Sequence, residues 1–206
     1  MTVQQVIDLA AQGELKNLAV KTDTNTILGY INLGMIEMYK RFPLMVSEHM
    51  VELVEGVEVY TMPSDFLWIV AAYGEVQDGI DVDVVELPIN EEDNPLSLNT
   101  VSYNTVQIPL ATDGAYISII YRAGPEYIVM DELGSLDLPI KLPPQMLEPL
   151  LHYIGYRGHL SVTTTTNEQA THYGLFEQAC ARIEAAGMFT SDDVLMPKRI
   201  NNRGFK

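Results

Sequence analysis

Four histidines, one cysteine and 28 carboxylates are the groups in this 206-residue chain that could do chemistry. His152 and His159 stand seven apart on one face of a helical pattern, and His172 can approach from the next helix, the kind of gathering that holds a metal ion. Neither a cysteine ligand nor a His-x-x-x-His pair accompanies them, so the expectation is satisfied or surface histidines and no metal site. Gly155-Tyr156-Arg157-Gly158 spaces two glycines as some phosphate loops do, but inside a helical pattern where no loop can cradle an anion. Cys180 has no partner for an internal disulfide and falls on an apolar helix face, which reads as a small buried filler. No Walker-type loop, dinucleotide fingerprint, GxSxG elbow or HExxH occurs, and the acids are too many for any two to stand out as an acid–base couple. The expected class is therefore non-enzymatic and without a cofactor. A soluble hydrolase whose groups converge only in space is the competing reading from another class.

The charge is distributed unevenly. Between Arg41 and Arg122 there is no Lys or Arg but there are fourteen acids, whereas the last nine residues hold Lys198, Arg199, Arg203 and Lys206 and no acid. Residues 1–197 thus carry −20 and the remainder +4, for a formal net charge of −16. An acidic surface serves solubility, and it also repels phosphate, because nothing on it can displace the counterions condensed on a nucleic acid. Tight DNA binding is disfavoured, although DNA could slide past such a wall. The longest apolar run, residues 66–73, is eight residues against the roughly 20 a membrane-spanning helix requires. The first residues lack the basic and apolar segments of a secretory signal, so the protein is expected to work where it is made, with no membrane partner.

These groups need elements to position them. Thr2-Val3-Gln4-Gln5 reads as a capping box, followed by Val3, Val6, Ile7 and Ala10 on one helix face that stops near Gly13. A second helix, about 25–41, starts at Asp23-Thr24-Asn25, carries Ile27, Ile31, Met35, Met38 and Phe42 in a stripe, and ends at Pro43. The period then changes to two. Residues 49–60 read as a β-hairpin around Glu55-Gly56, with Val51, Leu53, Val57 and Val59 on its apolar side. Residues 67–73 and 80–87 read as strands, and 101–110 with 115–121 as an antiparallel pair joined at Thr112-Asp113-Gly114. Asn90 to Pro95 reads as an acidic loop, with Glu91, Glu92 and Asp93 as candidate contact residues. Gly124-Pro125 closes this block. Leu147, Leu151, Ile154, Gly158 and Val162 mark a third helix, with Pro149 in its first turn or kinking it. Gly155 and Gly158 allow a neighbour to approach closely. Thr165-x-x-Glu168 is a second capping box for a fourth helix ending near Gly187, antiparallel to the third. After Gly187 periodicity vanishes, and apolar residues such as Phe189, Leu195, Met196, Ile200 and Phe205 among the cations suggest an interaction arm. The expected fold is α+β: a helical bundle from the N- and C-terminal segments, a central antiparallel β-rich insertion and an extended C-terminal arm. Its parts are 1–45, 46–125, 126–187 and 188–206.

Several stretches in order, residues 1–8, Ile27-Leu28-Gly29-Tyr30-Ile31-Asn32-Leu33-Gly34, Val59 to Leu67, Val106 to Leu110, Ile117 to Pro125 and the two last helices, give the chain a family likeness. It resembles the head-to-tail adaptor proteins of tailed bacteriophages, especially the tail-tubular or gatekeeper adaptors of short-tailed phages. The resemblance implies a ring of identical subunits, a dodecamer, below the portal protein in the neck of the virion, assembled in the host cytoplasm. Such a ring extends the DNA channel, through which DNA passes without specific binding, and offers a platform to the tail nozzle protein. It further implies a portal-docking arm, which falls here on Leu195, Met196, Pro197, Lys198, Arg199, Ile200, Arg203, Phe205 and Lys206. The acidic loop Glu91, Glu92 and Asp93 becomes a lumen- or nozzle-facing candidate. A head-completion or tail-terminator ring is the nearer competing reading.

Overall fold

Capping and periodicity shape the helical part of the chain as expected. A computed structural model describes residues 1–78, 81–94, 96–109, 115–130, 136–162 and 166–189. The chain divides into two compact units, one of Met1–Leu44 with the described residues from Pro125 onward, the other Met45–Gly124.

In the first unit, helix α1 (Val3–Gln12) opens with both halves of the Thr2/Gln5 capping box and buries Val3, Val6, Ile7 and Ala10. Two more of its orphan amides are satisfied from far along the chain: Val3 donates to the Leu138 carbonyl at 2.9 Å and Gln4 to that of Leu136 at 3.0 Å. Helix α2 (Thr24–Arg41) is capped by Asp23, whose carboxylate accepts from the Thr26 amide and hydroxyl. These bonds hold the Asp23 carboxyl below its ordinary range. The helix ends at Phe42, which turns extended before Pro43.

Helix α3 (Leu147–Val162) follows a 3-10 turn, Pro144–Met146, and Pro149 falls in its first turn, where a missing amide costs little. Helix α4 is Thr166–Ala185. Ring contacts Tyr153–Phe176 at 5.4 Å, Tyr156–Tyr173 at 5.1 Å and His159–His172 at 4.6 Å run in opposite order on the two helices, so α3 and α4 are antiparallel. The expected Thr165 cap lies outside the described residues. Gly187 adopts φ +62°, a conformation glycine reaches without strain, and its amide bonds the Glu184 carbonyl. Phe189, counted with the arm from sequence, packs edge-on against Phe42 at 6.1 Å. Cys180 is fully buried, and burial pushes its thiol up to about 11, which keeps it protonated and unreactive. Arg41 at the end of α2 forks onto α4, with Nε 2.7 Å from Glu184 Oε1 and Nη1 2.8 Å from Glu177 Oε2. The guanidinium holds the Glu184 carboxyl below its ordinary value.

The glycines of α3 let neighbours close in, and they do so differently. A Cβ at Gly158 would lie 2.3 Å from Leu15 Cδ2, and Leu15 is fully buried, so it has nowhere to go. Gly29 in α2 has nothing within 4 Å. Gly158→Ala should therefore destabilise by about 1–2 kcal/mol, overpacking exceeding the gain in helix propensity, while Gly29→Ala should stabilise by up to about 1 kcal/mol. Chemical denaturation of both variants checks the opposite signs.

The second unit is two antiparallel sheets around one apolar core. Strands are β1 (Val46–Glu52), β2 (Val59–Thr61), β3 (Phe66–Asp78), β4 (Asp81–Glu86), β5 (Asn99–Ser102), β6 (Thr105–Gln107) and β7 (Tyr116–Ala123). They order as β1-β7-β3-β4 and β2-β6-β5. Val51, Ile69, Ile117 and Ile119 from the first sheet share a core with Val106 of the second and with Leu98 and Ile108, which flank its strands.

This corrects the sequence reading in two places. Residues 49–60 turn at Glu55-Gly56, where Gly56 has φ +79° and Val57 donates to the Val54 carbonyl at 3.0 Å, yet the flanking strands do not pair. β1 pairs with β7 over seven residues from Val46↔Arg122 to Glu52↔Tyr116, and β2 pairs with β6. The phase also flips: Val51 and Leu53 are buried, but Val57 and Val59 are exposed and Met62 is buried instead. Likewise β5 and β6 form their own hairpin at Tyr103-Asn104, and β7 pairs with β1 and β3. The Thr112-Asp113-Gly114 junction lies outside the described residues. Turn residues announce a reversal of the chain without deciding which edge the next strand joins.

Candidate functional site

The acidic loop is built by bonds between its own backbone and short polar side chains. Asn90 sits at φ 52°, a left-handed conformation its short amide tolerates. Its amide donates to the Leu98 carbonyl at 2.8 Å while its side-chain oxygen accepts from the Thr100 amide at 2.9 Å. Fully buried Ser97 accepts from the Glu91 amide at 2.9 Å, and Asn94 closes the turn by accepting from the Leu96 amide at 3.0 Å. Both ends of the loop are thus pinned to the buried Ser97-Leu98 pair. Glu91, Glu92 and Asp93 are left exposed on a fixed frame, with Glu91 held by the Asn94 side chain at 3.0 Å.

Around that loop the described residues of the unit offer no compensating surface Lys or Arg. Its single Lys or Arg is Arg122, which is only 8 % exposed and lies over the Trp68 ring at 4.1 Å, on the strand beside it. Burial lowers the proton affinity of the guanidinium, yet its ordinary value is so high that it stays charged. A stretch with fourteen acids therefore withdraws its one guanidinium into packing. The arm residues Leu195 to Lys206 lie outside the described residues.

The histidines divide. His49 lies in β1, whereas His152 and His172 both turn Nδ1 toward Glu14, at 3.2 Å from Oε1 and 3.0 Å from Oε2. The His159 ring stacks on that of His172. Glu14 is the participant that sequence reasoning missed. It follows Gly13 in no motif, and nothing local says that this segment reaches α3 and α4. No helix of the described residues is long and apolar enough to cross a membrane.

No curated protein matches the chain. A family model described as SU10 adaptor protein matches residues 1–197, from the capping box of α1 through both sheets and the α3/α4 hairpin. That match spans nearly the whole sequence and agrees with an α+β chain of antiparallel sheets set between helices. The chain belongs to the SU10 adaptor protein family and is a structural phage adaptor, a component of the virion neck or tail.

Proposed function

We propose that the protein forms a ring of identical subunits, a dodecamer, that sits beneath the portal, extends the DNA channel and carries the tail nozzle. The family match over residues 1–197 carries this reading. The acidic unit supports it: a wall bearing fixed carboxylates and no exposed guanidinium has nothing to exchange for DNA counterions, so a duplex can pass without adhering. A ring of one chain closes through head-to-tail contacts between two unlike faces, and the uneven charge of this chain helps supply them. The C-terminal arm, with Lys198, Arg199, Arg203 and Lys206, is the portal-docking element in this reading. Electron microscopy of the purified protein, alone and mixed with portal, tests it. A ring capping the portal is the expected image; a ring that ignores portal and caps tails would instead indicate a tail terminator.

Charge reversal of the acidic loop probes its role. Glu91→Lys, Glu92→Lys and Asp93→Lys together should alter DNA passage or nozzle attachment while shifting stability by no more than about 1 kcal/mol, because all three residues are exposed and the Glu91 side chain is held within its own loop by Asn94. Ejection assays of virions carrying the variant, beside its thermal melt, separate the two effects.

A further inference from the structure

We propose that Glu14, His152 and His172 form a binding site for one divalent transition-metal ion of the zinc class, which staples the segment after α1 to α3 and α4. One donor atom from each residue lies within 4.8 Å of the other two. Glu14 sets its two oxygens against the two imidazoles, Oε1 3.2 Å from His152 Nδ1 and Oε2 3.0 Å from His172 Nδ1, so the three side chains already converge where an ion with bonds of about 2.0–2.2 Å would sit. Two imidazoles and one carboxylate are the donors that borderline ions take, with water in the fourth position, whereas magnesium and calcium demand oxygen.

The surroundings are those of a ligand set. His152 Nδ1 is buried and lies 3.2 Å from Glu14 Oε1 without an aligned hydrogen bond, so the approach is short but not explained by N–H donation. Its far nitrogen, Nε2, lies 3.8 Å from Glu148, which Arg182 holds at 2.6 Å, so a carboxylate stands beside the imidazole at a distance too long for a hydrogen bond. The His159 ring stacks on His172 at an interplanar angle of 18° and fixes its plane. Gly155 keeps the space open: a Cβ there would come within 2.8 Å of His172 Nδ1 and 3.2 Å of Glu14 Oε2. The three ligand side chains are 16–23 % exposed, so the site lies close to the surface although His152 Nδ1 itself is covered. Since the ligands come from three segments, up to 158 residues apart (172 − 14), the ion would close long loops and act structurally.

The test uses the full-length chain, freed of metal with chelator and titrated with Zn²⁺ alone. Wild type should retain about one ion per chain after desalting and, near a hundredfold excess over Kd, melt roughly 5–10 °C higher. Co²⁺ should give the visible absorption of a nitrogen- and oxygen-ligated site. Glu14→Gln and His172→Asn should each weaken Zn²⁺ binding at least about tenfold, and excess Mg²⁺ should not displace the ion. Should either variant fold poorly, the metal content and Co²⁺ spectrum of wild type still decide. Absence of stoichiometric Zn²⁺ in wild type, displacement by Mg²⁺, or unchanged affinity in both folded variants would overturn the site.

Discussion

Removal of residues 197–206 should abolish attachment to portal while leaving the melting of both units unchanged. The deleted segment carries all four cations of the C-terminal cluster and no acid, against −20 on the rest of the chain, so it is the one strongly basic element the protein can offer a partner. In the proposed ring a single arm need bind only weakly. Repeated around a ring, each docked copy raises the effective concentration of the next, and overall avidity can exceed the single affinity by about 10²–10⁴. Losing the arm removes that multiplication, so the loss should be nearly complete. Restoring the apolar residues but not the charges, with Lys198, Arg199, Arg203 and Lys206 replaced by Gln, should give intermediate binding that no longer depends on salt. Co-sedimentation of portal with each chain reads the outcome, and full-strength binding by the truncated protein would contradict the docking role.

The second large effect is expected at Asn32. This side chain is 3 % exposed in the middle of α2, and it meets both backbone groups of one residue 96 positions away. Its amide donates to the Ile128 carbonyl at 2.9 Å and its oxygen accepts from the Ile128 amide at 2.8 Å. Asn32 thereby does for the connection after Pro125 what a neighbouring strand would do, satisfying a donor and an acceptor at once. Tyr39, two turns on, repeats the arrangement with its hydroxyl donating to the Lys141 carbonyl at 2.8 Å. Asn32→Leu keeps the branching and the number of heavy atoms but strands two half-covered peptide groups, which should destabilise the helical unit by about 2–3 kcal/mol and lower its melting temperature by roughly 5–10 °C. Asn32→Ala should cost at least as much, since a void is added. A thermal melt of Asn32→Leu that superimposes on wild type would show that water replaces the lost bonds.

Asn32 also shows where sequence reasoning stops. A lone polar residue in an apolar stripe reads as a surface position or a defect, and only the meeting with Ile128 makes it a structural element. Glu14 is the same kind of case: its sequence neighbours say that a helix has ended, and its partners lie on helices that begin more than 130 residues later. The acidic loop differs because its fixing bonds are local. Asn90, Asn94 and Ser97 hold a stretch of eleven residues, 90–100, so the turn was legible from composition even though the burial of Ser97 was not.

Local spacing dictates the features that depend on neighbours three or four positions apart. The Thr2/Gln5 box, the Asp23 cap, the stop before Pro43, the reversal at Gly56 and the apolar faces of α1 and α2 are all of this kind. Such bonds form within one turn of chain, and their partners are named by spacing alone. Long-range packing sets the rest: β1 leaves its sequence neighbour for β7, Val57 and Val59 face outward, and Glu14 meets two histidines. A strand's edge can pair with any other, so the choice falls to whichever arrangement buries the most apolar surface across the whole unit, a comparison no local window contains.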